Sequence, residues 1–144
     1  MILSKRCTYG IRSLLQLVSV YPNGSLTIKT IAEKEEIPRK FLEQVMLQLN
    51  NAGLLHSKKG RDGGYALQKA PQAITLLSII EVLDGALIFT ECMEIKPKCR
   101  RAGMCKLNVF AKETQAMLLG YFSKISLQDL HERSCGGEGQ QYSI

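Results

Sequence analysis

The sequence predicts a mainly α-helical fold that contains one small β-hairpin. Apolar residues recur at helical spacing along most of the 144-residue chain, whereas the segment after Gly53 changes to alternating apolar and polar residues around a glycine-rich turn. Two helices joined by a short turn and followed at once by a hairpin are typical of a winged helix-turn-helix. We therefore predict a winged helix-turn-helix that continues into a long C-terminal helix.

The first part of the chain carries the signals of a helix pair. Ser4 is a plausible N-cap of a first helix that runs to about Tyr21, where the segment PNGS breaks it. Thr27 caps a short second helix, and Pro38 forms the turn into a third. Gly53 supplies the left-handed residue that commonly ends a helix. Two helices therefore lie side by side before the hairpin begins.

The hairpin and the later helices follow from equally local signals. The segments LLHSK and YALQ read as strands on either side of GRDGG, which forms a wing. Thr75 caps the helix TLLSIIEVLDG, a long amphipathic helix runs from about Lys106 to Lys124, and Ser126 with Asp129 opens a last helix. The apolar positions of the long helix recur every three or four residues and need a partner: Phe110, Met117, Leu118, Tyr121 and Ile125.

The order of the predicted helices and strands divides the chain into four segments. We predict a winged helix-turn-helix domain in residues 1–84 and a cysteine-containing loop in residues 85–106. A long helix and a last short helix occupy residues 107–134, and residues 135–144 form a flexible tail.

Composition restricts the class of protein without deciding it. The chain is 45% hydrophobic, which suffices for one core, and its net charge of +6 is compatible with nucleic acid but also with many other partners. The N-terminal sequence MILSKRCTYG lacks the pattern of a secretory signal, and no stretch is long enough to span a bilayer. We expect a cytoplasmic protein without a membrane partner, whose five cysteines are kept reduced.

Three cysteines in the segment CMEIKPKCRRAGMC form a candidate ligand set. Cys92, Cys99 and Cys105 have six and then five intervening residues, so their thiolates can reach one small inorganic centre. The absence of a CxxC pair favours an iron–sulfur cluster over zinc. The surrounding lysines and arginines also suit a direct thiol switch, so zinc binding and thiol oxidation remain alternatives.

The third helix and the wing carry candidate DNA-binding residues. Lys40, Glu43 and Gln44 lie on one outward face, with Arg39 at the start of the helix. Glutamine can read adenine, glutamate can accept from the cytosine amine, and arginine or lysine reads guanine or neutralises phosphate. The wing adds three further cations at its narrow tip: Lys58, Lys59 and Arg61. A solvated helix face or a protein-interaction module would give the same pattern and remains an alternative.

Several stretches together resemble the Rrf2 family of bacterial transcription regulators, in its cluster-binding branch. They are LSKRCTYGIRSLL, FLEQVMLQL, SKKGRDGGYAL, ITLLSIIEVLDG, the cysteine triplet and GYFSKISLQDL, and they span nearly the whole chain. The resemblance implies a homodimer held by the long C-terminal helix, with two winged helices on a near-palindromic double-stranded DNA operator. It also implies an iron–sulfur centre on the three cysteines, for which we expect a 2Fe–2S rather than a 4Fe–4S cluster.

The chain departs from the family pattern at the fourth ligand. Asn108 stands where some members have a histidine ligand, and Thr8 stands where others have an aspartate. The wing carries Lys59 where the family usually has arginine. The candidates for the fourth donor are Cys7, Asn108, Glu91, Glu94 or an exogenous ligand.

The sequence therefore predicts a repressor or dual regulator whose operator binding is controlled by a cluster that senses iron–sulfur status, redox state or nitric oxide. A cluster-free thiol-redox or zinc-binding regulator of the same fold is the alternative. An electron carrier or redox enzyme is disfavoured, because the chain offers neither a catalytic nucleophile with its base nor a dinucleotide-binding loop. We expect no small-molecule substrate.

Overall fold

The computed structural model describes residues 3–61, 63–90, 99–101 and 103–135, which form six α-helices and one antiparallel hairpin. The elements are α1 (Lys5–Val18), α2 (Ile28–Glu35), α3 (Arg39–Asn51), β1 (Leu55–Lys58), β2 (Gly64–Leu67), α4 (Leu76–Asp84), α5 (Lys106–Lys124) and α6 (Leu127–Cys135). The predicted winged helix-turn-helix and long C-terminal helix are confirmed. Most of the predicted tail lies outside the described residues, and α6 continues to Cys135. None of the described helices is long and apolar enough to cross a membrane.

Local side-chain caps fix where the helices begin. In each of three helices a hydroxyl oxygen accepts a hydrogen bond of 3.1 Å from the backbone N–H three residues further on, at the predicted caps Ser4, Thr27 and Thr75. The helix α1 ends at Val18, earlier than the predicted Tyr21. The N–H groups of Val20 and Tyr21 bond to carbonyls three residues back, which tightens the chain into a turn.

Two glutamates, Glu35 and Glu36, form the turn that ends α2. Glu36 ends α2 with a φ of 53°, a left-handed conformation that glycine usually supplies. The preceding residue, Glu35, accepts from Arg12 Nε at 2.8 Å and from Gln16 Nε2 at 2.5 Å, and its carbonyl accepts from the Arg12 guanidinium. The C-terminal end of α2 is therefore fixed to α1.

The core is centred on α1, α3 and α4 and includes side chains from α2, the hairpin and α6. Gly10 allows the close approach of the first three helices named, because a Cβ at this position would lie 2.3 Å from Leu83 Cδ1. The rings of Tyr9 and Phe41 pack edge to face with their centroids 5.6 Å apart. The largest fully buried side chains include Leu14, Leu17, Ile31, Leu42, Met46, Leu49, Ile74, Ile79 and Leu127.

The last helix packs back onto the winged helix. Leu127 of α6 is completely buried, and α6 contacts α1. Two backbone hydrogen bonds of 2.8 Å join this junction to the start of α4: Leu76 N–H donates to the Ile125 carbonyl, and Leu127 N–H donates to the Ile74 carbonyl. The C-terminal end of α5 is thus attached to the winged-helix body, although α6 is grouped with the long helix in the sequence.

Candidate nucleic-acid interface and cysteine site

The helix α3 presents one face to the core and the opposite face to solvent. Leu42, Val45, Met46 and Leu49 are buried, as expected for one side of an amphipathic helix. The four predicted DNA-binding residues of this helix are all exposed: Arg39, Lys40, Glu43 and Gln44. The structure therefore places Lys40, Glu43 and Gln44 on one accessible face, with Arg39 exposed at the start of the helix.

Two of these residues pair with each other. Arg39 Nε lies 3.3 Å from Glu43 Oε1, four residues along the helix, and the two side chains are 65% and 49% exposed. Such a surface pair contributes only about 0.3–0.5 kcal/mol, so either partner can leave it to contact DNA. The pair orients Arg39 and screens the Glu43 carboxylate, which the sequence did not indicate.

The helix α3, which is the predicted recognition helix, is hydrogen-bonded to α4, the helix that precedes the cysteine loop. Gln48 Nε2 donates a hydrogen bond of 2.6 Å to the Val82 carbonyl in α4. At the end of α4, Asp84 accepts from Ser4 N–H at 3.0 Å and from the Ser4 hydroxyl. The sequence analysis did not identify Gln48 or Asp84, because both contacts join positions that are far apart in the chain.

The wing is anchored to the helix-turn-helix by its base. Tyr65 of β2 forms an isolated β-bridge with Leu26, in which the two residues exchange two backbone hydrogen bonds of 2.8 and 3.0 Å. Gly64 is required there, since its φ is 145° and a Cβ would lie 2.4 Å from the Leu26 carbonyl oxygen. Lys58 Nζ donates to the Asn23 carbonyl at 2.9 Å. Lys58 therefore braces the wing, while Lys59 and Arg61 are exposed at its tip.

Of the three predicted cluster ligands, the structure describes two. Cys99 is exposed, and Cys105 is half-buried at the start of α5, where its carbonyl accepts from Asn108 N–H at 3.0 Å. Cys92, Glu91 and Glu94 lie outside the described residues. Within the described ranges, no three histidine, cysteine or acidic side chains converge on one point. The ligand set stays a prediction.

Cys7 lies in a different environment. Its side chain has no solvent exposure, and burial, followed by the charge of Asp84, raises the pKa of the thiol to about 11. These features are those of a side chain that packs in the hydrophobic core.

The raised pKa of Cys7 predicts a loss of stability at high pH. The folded protein retains the thiol proton up to about pH 11, whereas the unfolded chain releases it near the ordinary thiol pKa of 9.0. The contribution of the buried, protonated Cys7 side chain to the free energy of unfolding is therefore complete below pH 9, and it is lost as pH rises towards 11. We expect the difference in unfolding free energy between the wild type and Cys7→Ala to fall by up to about 2 kcal/mol over this range, measured by urea denaturation under reducing conditions. Parallel pH curves would contradict this.

The loop that follows α4 packs along α5 before it enters the cysteine segment. Phe89 N–H donates to Gln115 Oε1 at 3.2 Å, and the Phe89 and Phe110 rings pack with centroids 6.4 Å apart. Leu87 is buried in the core. The described start of the cysteine loop is therefore in contact with α5 and with the winged helix.

The helix α5 exposes a continuous apolar stripe. Met117 is 74% exposed, and Leu107, Phe110 and Tyr121 are each more than half exposed. Together with Thr114 these positions are spaced three, four, three and four residues apart, which is the spacing of a coiled-coil seam. Leu118 instead packs partly against the core. The stripe leaves an apolar helix face without a partner within the described part of one chain.

The sequence model of one protein family matches nearly the whole chain. The family model is described as "Rrf2: Iron-dependent Transcriptional regulator" and matches residues 3–133. The chain belongs to the Rrf2 family. It is a helix-turn-helix transcriptional regulator, and its Rrf2 relatives are regulators rather than enzymes.

Solved and curated Rrf2 proteins show how far the similarity extends. The HTH-type transcriptional regulator CymR of Bacillus subtilis is 33% identical over 111 residues, which are 77% of this chain and 80% of CymR. Its structure, described as that of the global cysteine regulator, has a TM-score of 0.76 at 29% identity and covers 92% of this chain and 97% of CymR.

Two further structures are similar over most of their length. T. potens IscR has a TM-score of 0.77 at 25% identity, covering 99% of this chain and 95% of IscR. The oxidized form of Staphylococcus aureus CymR has a TM-score of 0.73 at 26% identity, covering 92% and 97%. The chain is therefore similar over most of its length to both IscR and CymR.

Proposed function

We propose that the protein is a homodimeric cytoplasmic repressor or dual regulator that binds a double-stranded DNA operator through α3 and the wing. The observation that supports this most directly is the exposed polar face of α3, which carries Lys40, Glu43 and Gln44, with Arg39 exposed at the start of the helix and an anchored basic wing after it in the chain. An α-helix fits the major groove, where these side-chain types distinguish base pairs. No small-molecule substrate is needed for this activity.

The two elements have different proposed roles. Gln44 and Arg39 read base edges, since their amide and guanidinium groups match adenine and guanine, and Lys40 neutralises phosphate near the start of the helix. Glu43 selects against sites that place phosphate or an acceptor beside it. The exposed Lys59 and Arg61 contact the DNA backbone or a minor groove, while Lys58 holds the wing in place.

Removal of the two exposed wing cations tests the proposal. We expect Lys59→Ala/Arg61→Ala to weaken binding to all duplexes and to flatten the dependence of log K on log salt by about 0.9 for each lost phosphate contact, or up to about 4 for a dimer. The measurement is fluorescence anisotropy at several salt concentrations, on duplexes selected with the wild type from a random library.

A matched variant controls for the loss of charge. Lys112→Ala/Lys124→Ala removes two exposed cations from α5, outside the winged helix, and should leave the salt slope nearly unchanged. A wing variant that binds like the wild type at every salt concentration would remove the wing from the interface. A wild-type protein that selects no duplex would overturn the proposed function.

We further propose that Cys92, Cys99 and Cys105 hold an iron–sulfur cluster. The donor set fits the group: soft thiolates are its usual ligands, and neither Cys99 nor Cys105 is committed to the core. A bound cluster would supply reversible electron transfer or reaction with nitric oxide. Asn108, Glu91, Glu94 or an exogenous ligand would complete the set. The half-buried Asn108 follows Cys105 by one helical turn, which supports it as a donor.

Two contacts would transmit a change in the cysteine segment to the recognition helix. The loop that carries this segment begins directly after α4, which is bonded to α3 through Gln48 and to the start of α1 through Asp84. A shift of α4 would therefore move the reading face and the N-terminus of α1 together. A tenfold difference in operator affinity between two states requires a coupling of only about 1.4 kcal/mol.

A thiol switch without a cluster is the second candidate. Cys99 is exposed and is followed by the exposed Arg100 and Arg101, so its thiol is accessible to an oxidant. The similarity to an oxidized form of CymR supports this alternative. A zinc site on the same three cysteines, in a regulator of the same fold, is the third candidate.

A further inference from the structure

One apolar side chain is exposed on the polar face of the recognition helix. Between residues 3 and 90, the described residues expose two large hydrophobic side chains, Leu47 at 53% and Tyr21 at 38%. The other such side chains lie between Met104 and Tyr121, on and beside α5. Leu47 therefore does not belong to the apolar stripe of α5, and the core does not account for it.

The position of Leu47 is set by the rigid helix. At 100° per residue, Leu47 lies in the centre of the stripe formed by Lys40, Glu43, Gln44 and Asn51, all of which are exposed. It is one helical turn beyond Gln44 and about 10 Å along the axis from Lys40. The neighbouring Met46 is buried and Gln48 is bonded to α4, so α3 cannot rotate Leu47 away from this face.

The charge around Leu47 indicates what covers it. Arg39 and Lys40 precede it on the same helix, the wing adds Lys59 and Arg61, and Glu43 is the one acidic side chain among the residues named on this face. With four cations to one carboxylate, these residues suit a polyanion better than a hydrophobic protein surface. Within the major groove the C5-methyl group of thymine is the apolar group that a leucine side chain can contact.

We propose that Leu47 is a specificity-determining residue that contacts a thymine methyl group in each operator half-site. The inference rests on the proposed DNA binding and adds a base preference to it. Gln44 reads adenine through two hydrogen bonds, and Leu47 reads thymine nearby through apolar contact. A cytosine at the same place would leave Leu47 against an amine and a bare ring edge, so the preference excludes C·G pairs as well.

The experiment removes one methyl group at a time from the DNA. Each thymine of a selected duplex is replaced by deoxyuridine, which keeps the base-pairing groups and lacks only the methyl. We expect one or two positions per half-site where this replacement weakens wild-type binding three- to tenfold. Leu47→Ala should bind these duplexes with no methyl preference, because its side chain no longer reaches the groove. Gln44→Ala should lose an adenine preference and keep the methyl preference.

The outcomes separate this inference from the function on which it rests. Wild-type binding that ignores every deoxyuridine, or a Leu47→Ala protein with the same methyl preference as the wild type, overturns the role of Leu47 while DNA binding stands. A Leu47→Ala protein that changes its sedimentation coefficient would show a protein contact instead and would also overturn it. Failure of the wild type to select any duplex would overturn the proposed function itself. Because Leu47 is exposed and alanine favours helix, Leu47→Ala should fold normally.

Discussion

Anaerobically purified Cys92→Ala, Cys99→Ala and Cys105→Ala proteins are expected to lose the visible absorption of an iron–sulfur cluster, whereas Cys7→Ala is expected to retain it. Each of the first three changes removes one of three proposed thiolate donors, and the remaining two cannot hold a cluster with adequate affinity. Cys7 is the matched control, because it is a cysteine of the same chain whose thiol is buried in the core. Absorption spectra together with iron and sulfide counting provide the measurement.

The same experiment distinguishes the alternatives. About two iron and two sulfide per chain would identify a 2Fe–2S cluster, and about four of each a 4Fe–4S cluster. Bound zinc without sulfide would favour the zinc site. Loss of the spectrum in Cys7→Ala as well, in a protein that remains folded, would return Cys7 to the ligand set. An unchanged spectrum in all three triplet variants would overturn the cluster proposal.

Met117→Glu is expected to convert the proposed dimer into a monomer. Met117 is the most exposed member of the α5 stripe, and pairing of two copies along this stripe would bury it. A carboxylate there would be desolvated without a partner, so we expect the dimer dissociation constant to rise at least about 100-fold, which is about 2.7 kcal/mol. Sedimentation analysis compares the result with twice the 16.1 kDa chain mass. The monomer should bind the selected operator far more weakly, because each chain reaches one half-site.

Lys112→Glu controls for the added negative charge on the same helix. Lys112 is exposed and lies about 140° around α5 from Met117, outside the stripe. This variant should remain dimeric and should bind operator with nearly the wild-type affinity. If Met117→Glu sediments like the wild type, the stripe is not the dimer contact.

Much of the fold follows from signals that act over a few residues. The caps Ser4, Thr27 and Thr75 and the left-handed Gly53 stop or start helices through their own hydroxyl or backbone, so their effects are visible in the sequence. The exposure of the polar α3 face follows in the same way, because burial of Leu42, Val45 and Leu49 forces the opposite face outward.

The features that escaped prediction depend on contacts between distant segments. The sequence predicts Lys58 to be a DNA-binding cation of the wing, but its Nζ donates a hydrogen bond to the Asn23 carbonyl, 35 residues earlier. Glu36 takes a left-handed conformation without glycine, because the interactions of Glu35 with α1 fix the turn. Leu47 was locally detectable, since it shares a helical stripe with Lys40 and Gln44, yet only the structure excludes its burial.

The backbone junction between the start of α4 and the end of α5 gives α5 a pivot. Its 19 residues span about 28 Å, and two backbone hydrogen bonds hold its C-terminal end to the winged helix. Cys105 stands at the opposite end. A tilt of about 5° at the pivot would displace the cysteine end by roughly 2.5 Å. Because the same helix carries the apolar stripe, in the proposed dimer a small displacement at the cysteines would change the separation of the two recognition helices.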